Sequence, residues 1–104
     1  MRYYENLFII DPNYENERFS HLVDSVKSEA KTLGINIINI DQWGKKRLAY
    51  QIEKHKYGSY VLLQYETENG SAIQELEKWM EITNGILAYQ TIVLDAKPEV
   101  KKED

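Results

Sequence analysis

Five cationic side chains lie close together in the sequence, and their type and spacing suit the binding of an anion. They fall within residues 45–56 and face a single acidic neighbour, Glu53. The remaining 92 residues carry 8 basic and 16 acidic groups, so an acidic body holds one basic segment. Such a cluster predicts a small, localised contact with an anionic surface such as phosphates, the alternative being a solvated charged hairpin. The cations are Lys45, Lys46, Arg47, Lys54 and Lys56.

The sequence offers no set of residues suited to catalysis or to metal binding. The chain has no cysteine, which excludes disulfides, thiolate metal sites and cysteine nucleophiles. His21 falls on a predicted helix and His55 lies between two lysines, so neither is placed to serve as a catalytic base. No glycine-rich phosphate-binding motif occurs among the five glycines. We therefore expect no enzyme activity, no metal, no cofactor and no small-molecule substrate.

Length and composition predict one small globular domain. The chain has 104 residues, of which 42% are hydrophobic and 29% charged. The first residues lack the apolar core of a signal peptide, and no apolar run is long enough to span a membrane, which predicts a cytoplasmic protein without membrane contact. We expect residues 1–96 to form the domain and residues 97–104 to form a short, charged, disordered tail.

Hydrophobic periodicity predicts the elements that must position the basic segment. β-branched and aromatic runs predict strands at 3–10, at 35–40 with a continuation at 47–52 past a bulge at Gly44, at 60–65 and at 86–94. Apolar residues at helical spacing predict one helix from Phe19 to Leu33, ended by Gly34, and a shorter one after an N-cap at Asn69 or Ser71. The order βαββαβ predicts an α+β, ferredoxin-like split βαβ fold, with two helices on one face of a four-stranded antiparallel sheet.

That architecture leaves the other sheet face without helices. Strand alternation shows that both faces of the first and third strands are substantially apolar. If one set packs under the helices, the other forms an apolar patch edged by tyrosines, which is typical of an interaction surface. The alternative is that the tail or a long loop covers it. The patch consists of Tyr3, Leu7, Ile9, Tyr60 and Leu62.

The segment 43–52, with the sequence WGKKRLAYQI, closely resembles the signature of the bacterial small-subunit ribosomal protein six family. The start of the chain, the turn at Asp11-Pro12-Asn13 and the segment 56–60 are also similar to that family, and the resemblance covers nearly the whole length. It implies a structural protein of the small ribosomal subunit, which binds the central domain of the small-subunit ribosomal RNA as a heterodimer with small-subunit protein eighteen.

A basic protein partner explains how an acidic chain joins an RNA particle. We predict that the apolar patch docks that partner, while a few cations contact backbone phosphates. Arg47 is the best candidate for a defined contact because guanidinium groups bind phosphate through two donors. The predicted RNA-binding residues are Arg2, Lys45, Lys46, Arg47, Lys54 and Lys56; the predicted partner-binding residues are Tyr3, Leu7, Ile9, Tyr60 and Leu62.

Two other interpretations share the same fold. The first is a free-standing module that binds single-stranded RNA by stacking bases on exposed aromatic side chains. Leucine at position 63 stands where that class needs a stacking aromatic, and Leu7 and Ile9 make the face more apolar than base stacking requires. The second is a regulatory or small-ligand domain that dimerises through the open sheet.

Overall fold

The computed structural model describes residues 2–52 and 54–100. The elements run in the order β1 (Arg2–Ile10), α1 (Asn16–Thr32), β2 (Asn36–Ile52), β3 (His55–Thr67), α2 (Ser71–Ile82) and β4 (Ile86–Leu94). The four strands form one sheet in the order β2-β3-β1-β4, and every neighbouring pair is antiparallel. The predicted ferredoxin-like βαββαβ fold is confirmed. Across the described part of the chain, neither helix combines the length and apolarity that crossing a membrane requires.

Local sequence accounts for the ends of the elements. The Asp11 side chain accepts a hydrogen bond from the Asn13 amide at 2.9 Å, which forms the turn after β1. Gly34 adopts a φ of +79° directly after α1, in the left-handed conformation that glycine adopts without strain. α2 begins at Ser71 after Gly70, which lies between the two predicted N-cap positions, Asn69 and Ser71. Asn69 still stabilises the start of the helix, because its Oδ1 accepts a hydrogen bond from the Ser71 amide at 3.1 Å.

The core lies between the helices and one face of the sheet. Alternate strand residues pack under the helices, and each helix contributes one apolar stripe, as the periodicity predicted. Burial raises the pKa of the Tyr65 hydroxyl above its ordinary value of 10.0, so this group stays neutral at physiological pH. The buried apolar residues of these elements are Tyr4, Phe8, Ile10, Val61, Leu63 and Tyr65 from the central strands, Leu22, Val23, Val26 and Ala30 from α1, and Ala72, Leu76 and Met80 from α2.

The hairpin of β2 and β3 extends beyond the rest of the sheet. β1 ends at Ile10, opposite Ser59, whereas β2 and β3 continue pairing to Arg47 and Tyr57 and, after a register shift, pair again at Ile52 and His55. The predicted bulge at Gly44 is confirmed, since the register shifts there and Gly44 has a φ of +83°. A Cβ atom at Gly58 would lie only 2.3 Å from Cγ2 of Ile9, so the base of the hairpin packs directly against β1. The basic segment is therefore carried on a long two-stranded arm.

Candidate protein and RNA interfaces

The sheet face opposite the helices, here called the open face, carries all of the predicted partner-binding residues. Register places Leu7 beside Leu62 and Ile9 beside Tyr60, so these four side chains form one contiguous patch at the centre. All are half-buried, in contrast to the fully buried side chains that alternate with them. Tyr3 also lies on this face, two residues before Glu5 in β1. Glu5 therefore separates Tyr3 from the patch.

A row of polar side chains crosses the open face between Tyr3 and the apolar patch. Asn39 on β2 donates a hydrogen bond from Nδ2 to Oε1 of Gln64 on β3, at 2.9 Å. Gln64 in turn donates from Nε2 to Oε1 of Glu5 on β1, at 3.0 Å. The row therefore links three neighbouring strands. Glu5 and Gln64 belong to the same alternating sets as the apolar residues, but only the strand register shows that they are adjacent.

A recess opens at the centre of this face, beside the polar row. Its volume is about 140 Å³. A cavity of about 150 Å³ in another protein holds a benzene molecule, so the recess has room for one apolar side chain of a partner. Its walls are mainly apolar, and Glu5 contributes a carboxylate. The lining residues are Glu5, Leu7, Trp43, Leu62, Gln90 and Ile92.

Trp43 extends the apolar patch towards the hairpin. Its ring stacks on that of Tyr60 with centroids 6.4 Å apart and an interplanar angle of 9°. Nζ of Lys46 lies 5.5 Å from the Trp43 ring centroid, within reach of a cation–π contact. The indole is 42% exposed. The sequence prediction gave Trp43 no partner-binding role, although its position before Gly44 at the start of the signature segment marked it.

The C-terminal segment crosses part of the open face. Nδ2 of Asn39 donates a second hydrogen bond, to the backbone carbonyl of Glu99, at 2.7 Å. β4 and β2 form opposite edges of the sheet, so residues 95–99 must pass over β1 and β3 to bring Glu99 to Asn39. Asn39 is only 7% exposed as a result. The face is thus covered near the polar row and open at the recess, whereas residues 101–104 of the predicted tail lie outside the described residues.

The predicted RNA-binding cations of the hairpin form one exposed group. Lys45, Lys46 and Arg47 pair with Ser59, Gly58 and Tyr57 across the arm, and Lys54 and Lys56 lie near its end. Within residues 2–52 and 54–100, none of these five cations forms an ion pair with a carboxylate. The group is therefore available to an external anion. Exposed aromatic side chains accompany it: Tyr50 is 85% and Tyr57 48% exposed.

Arg2 lies far from the other predicted RNA-binding residues. It starts β1 opposite Thr67, whereas Ile10 at the other end of β1 lies opposite Ser59, the pairing partner of Lys45. Eight residue steps along an antiparallel strand span about 27 Å. The structure therefore does not bring Arg2 together with the hairpin. Alternation alone could not reveal this separation, because it depends on the direction of each strand in the sheet.

The rest of the described surface holds a histidine–carboxylate contact and a further cleft. The described residues include no group of three or more histidine, aspartate or glutamate side chains able to hold a metal ion. His55 contacts a carboxylate, with Nε2 at 4.0 Å from Oδ2 of Asp11, and both side chains are partly exposed. A larger cleft of about 440 Å³ between the start of α1 and β2 is lined by Tyr14, Phe19 and Lys45, among others.

Comparison with known proteins defines the class and then the family. A protein from Desulforamulus reducens named small ribosomal subunit protein bS6 is 40% identical over 92 residues, which cover 88% of this chain and 96% of that protein. That relative is thus a ribosomal protein of the small subunit. A family model described as ribosomal protein S6 matches residues 3–93. The chain belongs to the ribosomal protein S6 family, which confirms the resemblance, and this family is structural and non-enzymatic.

Solved structures agree with the fold. The crystal structure of 30S ribosomal protein S6 from Thermotoga maritima superposes with a TM-score of 0.83 at 32% identity, covering 89% of this chain and 87% of that one. The solution structure of the C-terminal domain of the MgtC protein from Mycobacterium tuberculosis reaches a TM-score of 0.62 at 8% identity, covering 99% and 95%. The second match shows the fold alone, because one fold hosts many functions.

Proposed function

We propose that this chain joins the small ribosomal subunit in the bacterial cytoplasm as one half of a heterodimer with small-subunit protein eighteen. In this proposal the pair binds the central domain of the small-subunit ribosomal RNA. The observation that carries the proposal is the separation of two surfaces: an apolar recess on the open face and an exposed cationic arm beside it. An acidic chain with this arrangement can bind a protein and an RNA at the same time.

The charges of the open face favour a basic protein partner. Carboxylates of Glu5, Asp41 and Glu66 lie on this face by strand register, and among the described strand residues the cations that share it begin with Lys46 on the hairpin. Complementary potentials across an interface speed association and exclude wrong partners. An apolar anchor side chain of the partner would fill the recess beside Leu7 and Leu62, with a neighbouring cation of the partner close to Glu5.

The arm favours contact with RNA backbone. Its five cations are exposed and without acidic partners in the part of the chain that the structure describes. Lys45 and Arg47 project on the helix side of the arm and Lys46 on the open face, since alternate residues of a strand point to opposite faces. Phosphates on both sides of the arm are therefore within reach. Arg2, about 27 Å away, would need a separate contact on the RNA or the partner.

A free-standing RNA-recognition module is the second candidate, and one observation favours it. Trp43, Tyr50 and Tyr57 are exposed close to the cations, where unpaired bases could stack on them. Leu63, which was expected to occupy a stacking position, is buried under the helices, so that expectation was wrong. The centre of the open face still favours protein docking, because its central strands carry Leu7 and Leu62 there and not aromatic rings. Trp43 is also already stacked on Tyr60.

Co-purification tests the proposed function. The tagged chain should be recovered from a bacterial extract together with small-subunit particles, and ribonuclease should release the ribosomal RNA while leaving protein eighteen bound. Protein eighteen should remain because the proposed protein interface contains no RNA. Recovery as a homodimer that excludes protein eighteen and RNA would contradict the proposal and favour a regulatory domain.

A further inference from the structure

The C-terminal segment occupies part of the face on which a protein partner is expected. Residues 95–100 leave β4 at one edge of the sheet and reach Asn39 on β2 at the other edge. The segment contains Pro98, which has no amide hydrogen to donate, and none of its residues is in a strand. It therefore lies across the strands as irregular chain and does not extend the sheet.

Among the described residues, the far end of the segment is attached by a polar contact. Nδ2 of Asn39 donates a hydrogen bond to the carbonyl of Glu99 there. The Glu99 and Val100 side chains are exposed, so the end of the segment contributes little apolar burial to its own attachment. A single hydrogen bond of this kind changes an equilibrium between attached and detached states by about two- to tenfold. The detached state is consequently accessible to the free chain.

A stable partner needs the area that the segment covers. Four strands about 4.8 Å apart and about 30 Å long give a face of roughly 600 Å² in projection. A standard protein interface buries about 800 Å² of accessible surface on each partner, so a partner centred on the recess spreads over most of the face and meets the segment. We propose that residues 95–100 form an intramolecular strap that competes with the protein partner for the open face. This inference rests on the proposed function, because it assumes that a protein docks there.

The polar row connects the strap to the docking recess. Asn39 bonds both the strap and Gln64, and Gln64 bonds Glu5, whose carboxylate lines the recess. A partner cation that approaches Glu5 would bind the same carboxylate that accepts the hydrogen bond from Gln64. Partner binding and strap attachment thus involve the same set of side chains. Because only chains with a detached strap can bind the partner, the apparent affinity equals the intrinsic affinity multiplied by the detached fraction.

Two truncations with the same formal charge test the strap. Removal of residues 97–104 deletes the far half of the strap, whereas removal of 101–104 leaves it intact. Each deleted piece carries equal numbers of basic and acidic residues, so neither changes the net charge of −4 and steering by charge is preserved. Titration with purified protein eighteen should show two- to tenfold tighter binding for the shorter chain. The longer truncated chain should bind like the full chain.

The outcomes separate the strap from the proposed function. Equal or weaker binding by the chain that ends at residue 96 would overturn the competition. Amide nuclear magnetic resonance without a partner provides a second measurement: the shorter chain should show shifts at the side-chain amides of Asn39 and Gln64, and none in α1 or α2. Absence of these shifts would overturn the strap itself. Failure of all three chains to bind protein eighteen, with the shifts present, would overturn the proposed function and leave the strap in place.

Discussion

Replacement of Leu62 by aspartate is expected to weaken binding of protein eighteen by at least about 100-fold, or about 2.7 kcal/mol, while the domain stays folded. Leu62 lies at the centre of the open face and lines the recess, next to Leu7. A carboxylate there would be buried against the apolar anchor of the partner. No cation would pair with it, and burial of an unpaired charge costs free energy of binding. Leu7→Asp should have the same effect for the same reason.

The free chain should tolerate these substitutions because both side chains point away from the core. We expect the free energy of unfolding to fall by no more than about 1 kcal/mol, which chemical denaturation would measure. Val93→Asp is the matched control: Val93 is 64% exposed on β4, on the helix side of the sheet, so its substitution should change neither stability nor binding. Global unfolding of Leu62→Asp would show that the faces are assigned wrongly, and unchanged binding would remove the docking surface.

Charge reversal of the arm is expected to produce the second large effect. The triple substitution Lys45→Glu, Lys46→Glu and Arg47→Glu should weaken binding of the heterodimer to a central-domain RNA fragment by about 10- to 100-fold at moderate salt. It should also reduce the slope of log affinity against log salt by about 2, since each lost phosphate contact contributes roughly 0.7–0.9. Filter binding at several salt concentrations measures both quantities. Formation of the heterodimer should be nearly unchanged.

A control of equal charge distinguishes a local contact from a general electrostatic effect. Reversal of Lys27, Lys31 and Lys78 to glutamate changes the net charge by the same amount, and these lysines are exposed on the two helices, away from the arm. We expect the control variant to bind RNA within a few-fold of the wild type. If the two triple variants lost affinity equally, the arm would be a solvated hairpin and the RNA contact would lie elsewhere.

Much of the fold could be predicted from the sequence because the relevant signals are local. The apolar stripe from Phe19 to Leu33 predicts α1, and Gly34 ends it through its left-handed conformation. Alternation along β1 and β3 separates the buried set, including Phe8 and Leu63, from the set on the open face. The order of the elements then leaves few ways to form the sheet.

The features that escaped prediction depend on contacts between residues far apart in the sequence. The polar row joins Asn39, Gln64 and Glu5, and their adjacency follows from strand register and not from any one segment. Coverage of the open face by the tail was only an alternative at the level of the sequence, because the crossing requires a contact between Asn39 and Glu99, which are separated by 60 positions. Composition instead favoured a disordered tail at 97–104. Arg2 was grouped with the arm by residue type, although the length of β1 separates them.

The proposal that the open face binds protein eighteen while the arm binds RNA has one most direct test. A central-domain RNA fragment is titrated with this chain alone, with protein eighteen alone and with an equimolar mixture of both. We expect weak binding by the chain alone, because one short cationic arm on an acidic body provides few phosphate contacts, and much tighter binding by the mixture than by either protein. Binding by the chain alone as tight as by the mixture would contradict the account and identify a free-standing RNA-binding module.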